Sequence, residues 1–238
     1  MANSYFSFKQ FKVEQGNTAM KVCTDACLFG SWVASHLKGA ASVLDIGTGT
    51  GLLSLMFAQE SRGSVIDAVE PDAAAFHQAT DNFESSPWSN QLRTHHCSVQ
   101  EFKANNNYDL IITNPPFYEN SLLSNKDSRN KAMHDTSLTL ETLSGRIDAL
   151  ASVAGRAAVL LPSHRAAYFT GLMGQLGWHC ITEVSVKQSP THTFFRSMLC
   201  YGRMSSSQPD RQEMTIRDAG NNYSPEFIHL LQDYYLYL

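Results

Sequence analysis

No stretch of this 238-residue chain approaches the roughly 18 consecutive apolar residues that a membrane-spanning helix needs. The opening residues, Met1 to Phe11, mix aromatic and polar side chains and lack the apolar core of a secretory signal. These two absences lead us to expect a cytoplasmic protein. Cysteine is sparse: Cys23, Cys27, Cys97, Cys180 and Cys200 are scattered and odd in number, which argues against a disulfide framework. Cys23 and Cys27 stand four apart, but no second Cys/His pair follows at zinc spacing, so no metal site is expected. Charge is not concentrated either. The 18 Lys and Arg against 22 Asp and Glu leave a net charge of -4, unlike a strongly basic nucleic-acid module, although a local basic patch acts on its own. There is no internal repeat, no low-complexity tract and no linker. The loop-like stretches at 105–107 and 205–209 are too short to divide domains. With 43% hydrophobic and 17% charged residues, the composition excludes collagen-like and wholly disordered chains. We expect one domain over 1–238, with 1–36 contributing to a pocket and a helix at 224–238.

Apolar runs of strand length alternate with segments of helical period. Strands are expected at 42–46, 64–69, 92–97, 108–113 and 156–161, and helices at 52–60, 72–83, 138–152 and 164–176. Asp72 is a candidate N-cap. The adjacent His95 and His96 read as strand-flanking residues rather than ligands. Two strand-like runs, 178–186 and 193–201, follow closely and suggest an antiparallel hairpin at one edge. Phe227, Leu230, Leu231 and Tyr234 give the last helix an apolar face. Alternation of this kind implies an α/β fold: a mostly parallel, seven-stranded, Rossmann-like sheet with helices on both faces.

The first expected strand runs into Val43-Leu-Asp-Ile-Gly-Thr-Gly-Thr-Gly-Leu-Leu53. Gly47, Gly49 and Gly51 suit a tight turn and let a ligand approach the backbone. A dinucleotide fingerprint would place its third glycine at position 52, which is Leu52. Asp45 precedes the turn, as either a hydrogen-bond anchor for it or a partner for a ligand's ammonium. Glu70 ends the next strand, 23 residues after Gly47, where a carboxylate accepts from both hydroxyls of a ribose and repels a 2′-phosphate. Asp45 with the Gly-x-Gly-x-Gly turn resembles the first motif of class I S-adenosylmethionine-dependent methyltransferases.

Asn114-Pro115-Pro116-Phe117 follows the strand at 108–113. Carboxyl ends of parallel strands are where open α/β sheets bind ligands. Two prolines stiffen the backbone and remove two N–H donors, leaving the Asn114 side-chain carbonyl and the Pro115 carbonyl as acceptors for an NH2 group. Phe117 offers a face on which a planar substrate stacks, worth roughly 1–3 kcal/mol per base. An amine conjugated to a ring is a poor nucleophile. Acceptors aimed at its protons raise the electron density on nitrogen as it attacks a methyl sulfonium, and positioning supplies much of the rate. The plain structural reading is a rigid Pro-Pro loop. Glu70 and the glycine turn at matching places weigh against it.

These residues together resemble an N-methyltransferase of the Asn-Pro-Pro-aromatic type. The resemblance extends over nearly the whole chain. Phe6-Ser-Phe-Lys-Gln-Phe11, Ala19-Met-Lys-Val-Cys-Thr-Asp-Ala-Cys-Leu-Phe-Gly-Ser-Trp32, Asn222-Tyr-Ser-Pro-Glu-Phe227 and Tyr234-Tyr-Leu are similar to the bacterial tRNA(Val) adenine-37 N6-methyltransferases. The resemblance implies methyl transfer from S-adenosylmethionine to N6 of the adenine beside the anticodon of tRNA(Val). A monomer is expected. It implies Lys21, Thr24 and Asp25 near the methionine part of the cofactor. Thr24 or Asp25 could equally cap a helix running to about His36. It sets Ser98 at the cofactor's adenine, where many relatives carry Asp.

An RNA substrate calls for basic residues around the pocket. Candidate clusters are Lys126, Arg129 and Lys131; Lys9, Lys12 and Lys21; and Arg196 with Arg203, each of which could instead be ordinary surface charge. His134 is a further candidate, although a lone His is more often structural. The target base must leave its stack to reach Phe117. Rival readings are guanine N2 of ribosomal RNA, a protein glutamine, DNA adenine, a dehydrogenase and a non-catalytic module. Glutamine enzymes usually carry Tyr in place of Phe117 and an added N-terminal helical domain. A separate target-recognition domain for DNA is not evident, and the third-glycine spacing disfavours a dehydrogenase.

Overall fold

The computed structural model describes residues 3–18, 21–115, 138–204 and 208–238. Two short strands, β1 (Tyr5–Ser7) and β2 (Lys12–Glu14), pair as an antiparallel hairpin ahead of helix α1 (Thr24–His36). There follow β3 (Ser42–Ile46), α2 (Leu52–Glu60), β4 (Val65–Glu70), α3 (Ala73–Glu84), β5 (Leu92–His96), β6 (Tyr108–Thr113), α4 (Leu140–Leu150), β7 (Ala151–Pro162), α5 (Ser163–Gln175), β8 (His179–Lys187), β9 (Phe194–Gly202), β10 (Asp210–Thr215) and α6 (Pro225–Leu231).

The main sheet has the order β10-β8-β9-β7-β6-β3-β4-β5. Only β9 runs against its neighbours. The sheet therefore has eight strands among the described residues, where seven were expected. The β8–β9 hairpin lies inside the edge, because β10 pairs in parallel with β8. β10 escapes sequence reading because Asp210, Arg211, Gln212 and Glu213 are all exposed, so it carries no apolar pattern. Main-chain pairing makes the strand.

Alternation splits the sheet between two cores. Val43, Ile112 and Leu160 pack with Leu28, Phe29, Leu55, Phe57 and Phe227 on the face covered by α1, α2 and α6. Leu44, Ile111 and Val159 pack with Ile147, Phe169, Met173 and Trp178 on the face covered by α4 and α5. Successive residues of one strand point to opposite faces, so strands covered on both faces read as continuous apolar runs.

Several boundaries move for identifiable reasons. Asp72 caps α3 as expected, accepting from the Ala75 N–H at 2.9 Å. The expected helix 138–152 ends at Leu150, and β7 begins five residues before the expected strand. The extra strand residues cross a register shift between Tyr108 and Leu110 of β6. There a Cβ on Gly155 would lie 2.9 Å from the Ser152 and Tyr108 carbonyl oxygens. α6 stops at Leu231 because the aromatics after it turn inward. Tyr234 is 2% exposed with its hydroxyl donating to the Met56 carbonyl (3.1 Å), and Tyr235 bridges to Phe8. No helix among the described residues is long and apolar enough to cross a membrane.

Candidate functional site

Four parallel strands end together and bring the motif residues to one edge. β3 ends at Ile46 opposite Thr113 of β6, and Thr113 Oγ1 donates to the Ile46 carbonyl at 2.9 Å. The next residues along the two strands are Gly47 and Asn114, so the Asn-Pro-Pro-Phe segment begins beside the glycine turn. On the other side β4 ends at Glu70, paired with His96 of β5. The N–H groups of Gly47 and Thr48 donate to the Val69 carbonyl at 2.9 and 3.2 Å. Gly47, Gly49 and Gly51 all have φ between 57° and 83°. At this left-handed angle a side chain would be strained, which is the physical reason for three alternating glycines.

Asp45 is completely buried. Its Oδ2 accepts from Thr48 Oγ1 and from Ser54 Oγ, each at 2.7 Å. The anchoring role is therefore visible: one carboxylate oxygen ties the turn to the first residues of α2. The other oxygen, Oδ1, is buried with no hydrogen-bond partner among the described residues. Burial pushes the Asp45 carboxyl up to about 6, against the hydroxyl hydrogen bonds that pull it down. A buried acceptor left open costs stability unless a donor arrives. The open oxygen thus suits a cationic ligand group and keeps the second role of Asp45 alive.

Glu70 is 8% exposed and faces the same turn. Its Oε2 accepts from the Gly49 N–H at 2.8 Å and its Oε1 from the Asp72 N–H at 3.0 Å. Burial raises its pKa, while those two N–H groups oppose the rise. Each carboxylate oxygen has a second lone pair, so two ligand hydroxyls can be accepted without breaking either bond. Ser98 lies two residues past β5. Its hydroxyl donates to Glu101 Oε2 at 2.9 Å and accepts from the Glu101 N–H at 3.3 Å, so it is engaged in its own turn. Of the histidine pair, His95 Nε2 lies 2.7 Å from Asp67 Oδ1, and His96 stacks on Phe76 with centroids 4.9 Å apart.

The start of α1 reaches the same edge. Cys23 is the N-cap residue, without a side-chain cap, so neither Thr24 nor Asp25 occupies the cap. Thr24 is exposed in the first turn. Asp25 Oδ1 accepts from the Ala26 N–H (3.1 Å), and Asp25 Oδ2 meets Arg196 Nε at 2.7 Å. Burial raises the Asp25 pKa, but the Cys23 thiol and Arg196 outweigh it and leave the carboxyl below its usual range. Lys21 Nζ donates to the Gln15 carbonyl. A polar brace that no local sequence signal announces holds this segment over the turn. Asn82 of α3 accepts from the Glu14 N–H and donates to the Glu14 and Thr50 carbonyls, each at 2.9 Å.

The basic clusters fare unevenly. Arg196 and Arg203 stand at opposite ends of β9, roughly 23 Å apart at 3.3 Å per residue, so they do not form one patch. Arg203 is committed at the far edge, with Nη2 2.8 Å from Asp148 Oδ1 and its guanidinium over the Trp178 ring. Lys9 donates to the Gln232 carbonyl, Lys12 pairs with Glu14, and Lys21 donates to the Gln15 carbonyl, so each of the three is engaged within the protein. Asn114 is half-buried and Pro115 buried. Pro116, Phe117, Lys126, Arg129, Lys131 and His134 lie outside the described residues.

A protein-family model, Methyltransferase small domain, matches residues 29–142. The chain is 39% identical over 239 residues to the tRNA1(Val) (adenine(37)-N6)-methyltransferase of Dyadobacter fermentans, covering 98% of each chain. The Cytophaga hutchinsonii protein of that name is 38% identical, with 100% of each chain covered. The Yersinia pseudotuberculosis one is 38% identical over 97% of this chain and 92% of its own. Among solved structures, a predicted O-methyltransferase from Agrobacterium tumefaciens superposes with a TM-score of 0.68 at 13% identity, over 88% of this chain and 96% of that one. At that identity the likeness establishes the fold alone.

Proposed function

Since the chain belongs to the family of bacterial tRNA1(Val) (adenine(37)-N6)-methyltransferases, we propose that it methylates N6 of adenine 37 in tRNA(Val), beside the anticodon, with S-adenosylmethionine as donor. The observation that carries this is the meeting of Asn114 with the glycine turn at the end of β6, within one residue of the Thr113–Ile46 pairing. A transferable methyl must lie close to the acceptor amine.

S-adenosylmethionine, once bound, supplies a methyl group on a positively charged sulphur. Glu70 holds the ribose hydroxyls through the lone pairs left beside its two backbone bonds. Asp45 Oδ1, the buried oxygen without a partner among the described residues, receives the ammonium. Gly47, Gly49 and Gly51 let the backbone come close. Lys21, Thr24 and Asp25 close the methionine end. Ser98 borders the adenine, from a hydroxyl already bonded to Glu101. Asn114 and Pro115 carbonyls accept from the two N6 protons of the target base, and Phe117 stacks against it. With the donor bound, the amine nitrogen would take the methyl group and the sulphur would keep the electron pair of its bond to it. The displaced proton leaves from nitrogen, which is acidic once methylated, so no dedicated base is required. The protein works as a single domain over 1–238, as a monomer and in the cytoplasm, where tRNA is modified.

The test is methyl transfer from labelled S-adenosylmethionine to total tRNA from a strain lacking this gene, with the nucleosides resolved by mass spectrometry. N6-methyladenosine in a tRNA(Val) anticodon-loop fragment is expected. Label in 2-methylguanosine instead, or no label in tRNA from a protein that still binds S-adenosylhomocysteine, would overturn the reading of the target.

A further inference from the structure

Beyond β7 the sheet carries a pattern that the transfer step does not use. At the carboxyl edge three cations each lie over an aromatic ring. Arg196 Cζ is 5.7 Å from the Phe195 centroid, Lys187 Nζ 4.9 Å from that of Phe194, and Arg217 Cζ 4.5 Å from that of Tyr223. The strand register sets them in a row. Arg196 pairs with Pro162 at the end of β7 and with Val186 of β8; Lys187 pairs with Phe194 on one side and Thr215 of β10 on the other. The Arg217 N–H then donates to the Gln188 carbonyl at 3.0 Å. β7 lies between β6 and β9, so Arg196 is two strands from Asn114, and Lys187 and Arg217 lie further out along the same edge. The connecting loop, residues 188–193, contains no carboxylate.

A ring beneath a cation restricts it without using its outward N–H groups, which remain for a phosphate. The carboxylates present do not close the row. Glu213 meets Lys187 at 3.4 Å, the lysine side chain 21% and the glutamate 66% exposed, so the pair is open to water on its acidic side and a phosphate can compete for the ammonium. Asp25 holds Arg196, and Arg217 Nη1 donates to the Asn221 carbonyl at 2.6 Å. Phe194 is itself 38% exposed, so one side of its ring is open to an incoming group. Cations spaced along the sheet edge with an exposed ring among them match a polyanion that also carries flat bases.

We propose that this ledge, and not the lysines near the N-terminus, is where the RNA substrate's backbone docks: Lys187 and Arg217 contact phosphates, and Phe194 meets an unstacked base or sugar. The inference rests on the proposed RNA methylation and extends it to a surface. The test uses the full chain, with tRNA binding followed against salt, methyl-transfer kinetics, and S-adenosylhomocysteine affinity. In the Lys187→Gln/Arg217→Gln variant the slope of log affinity against log salt should fall by about 2, one per cation removed. The KM for tRNA should rise about tenfold or more, with S-adenosylhomocysteine affinity unchanged. Phe194→Ala should weaken tRNA binding without changing the slope. Lys187→Arg/Arg217→Lys keeps both charges and should restore the wild-type slope. An unchanged slope and KM in the double glutamine variant overturns the ledge while leaving methylation standing. Wild-type protein that binds tRNA on the ledge but methylates none of it overturns the reaction and keeps the ledge. Wild-type protein that binds no tRNA overturns both.

Discussion

At the scale of single residues, the site separates what anchors from what reacts. Asp45 is named by its place before the glycines, but its two oxygens have different environments that only the folded chain reveals. The native carboxyl titrates near 6 and an unfolded one near 3.8. Between those values the folded state binds more protons, so the ligand-free protein should lose stability as pH rises from about 4 to about 6, by roughly 3 kcal/mol at most. Burial raises Glu70 in the same direction. Asp45→Asn keeps an acceptor for Thr48 and Ser54 and removes the ionisation. Its denaturant midpoint should be much flatter over that range, and an unaltered pH profile would sink the account. An ammonium favours the ionised carboxylate, so wild-type affinity for S-adenosylhomocysteine should climb up to about pH 6 and then level. In Asp45→Asn it should be at least about tenfold weaker and lose that dependence, as calorimetry would show. In the proposed function Asn114 lies on the substrate side. Asn114→Ala should lower turnover at least about a hundredfold with cofactor affinity kept, the scale of removing one aligned transition-state partner. A drop in cofactor affinity equal to that of Glu70→Ala would reassign it.

At the scale of elements, the turn between β3 and α2 shows that equal-looking glycines carry unequal constraints. Gly49 and Gly51 both have positive φ, yet a Cβ at Gly49 meets nothing within 4 Å, whereas one at Gly51 lies 2.4 Å from Phe83 Cε1. Gly49→Ala should cost about 1–2 kcal/mol from backbone strain. Gly51→Ala adds a clash with a core ring and should cost about 3 kcal/mol or more. Equal chemical-denaturation midpoints for the two variants would contradict this. The sequence displays the spacing of the glycines, not that α3 lays Phe83 against the third. The Asn82 brace is similar. It is 2% exposed and joins residues 68 and 32 positions away, so Asn82→Ala should open both Glu14 and Thr50 contacts and cost roughly 2–3 kcal/mol. Amide exchange at Glu14 should then rise toward the rate of an unprotected amide.

At the scale of the whole molecule, the two ends of the chain complete one core. Phe8, Phe11 and Val13 from the first hairpin pack with Tyr234, Tyr235 and Phe227 from the end, and Phe11 sits edge-on to Trp88 before β5. Removing residues 1–18 should therefore lower the melting temperature of the entire chain by more than about 10 °C rather than free a local segment. A truncated protein that unfolds like the intact one would refute the single-domain reading. Local chemistry determined much in advance. The apolar runs of β3 and β6, the helix at 52–60, the Gly47-Gly49-Gly51 turn, Glu70 and the Asn-Pro-Pro-Phe segment are short-range patterns, because run length, period, turn angle and N–H loss are properties of neighbouring residues. Tertiary structure alone decided that Asp45 keeps one oxygen open, that Arg196 faces Asp25 while Arg203 is turned to Asp148 a strand's length away, and that the charged run 210–215 becomes an edge strand. Each depends on which distant residue is brought alongside, and pairing and burial across long separations are set by packing the whole chain rather than by any window of its sequence.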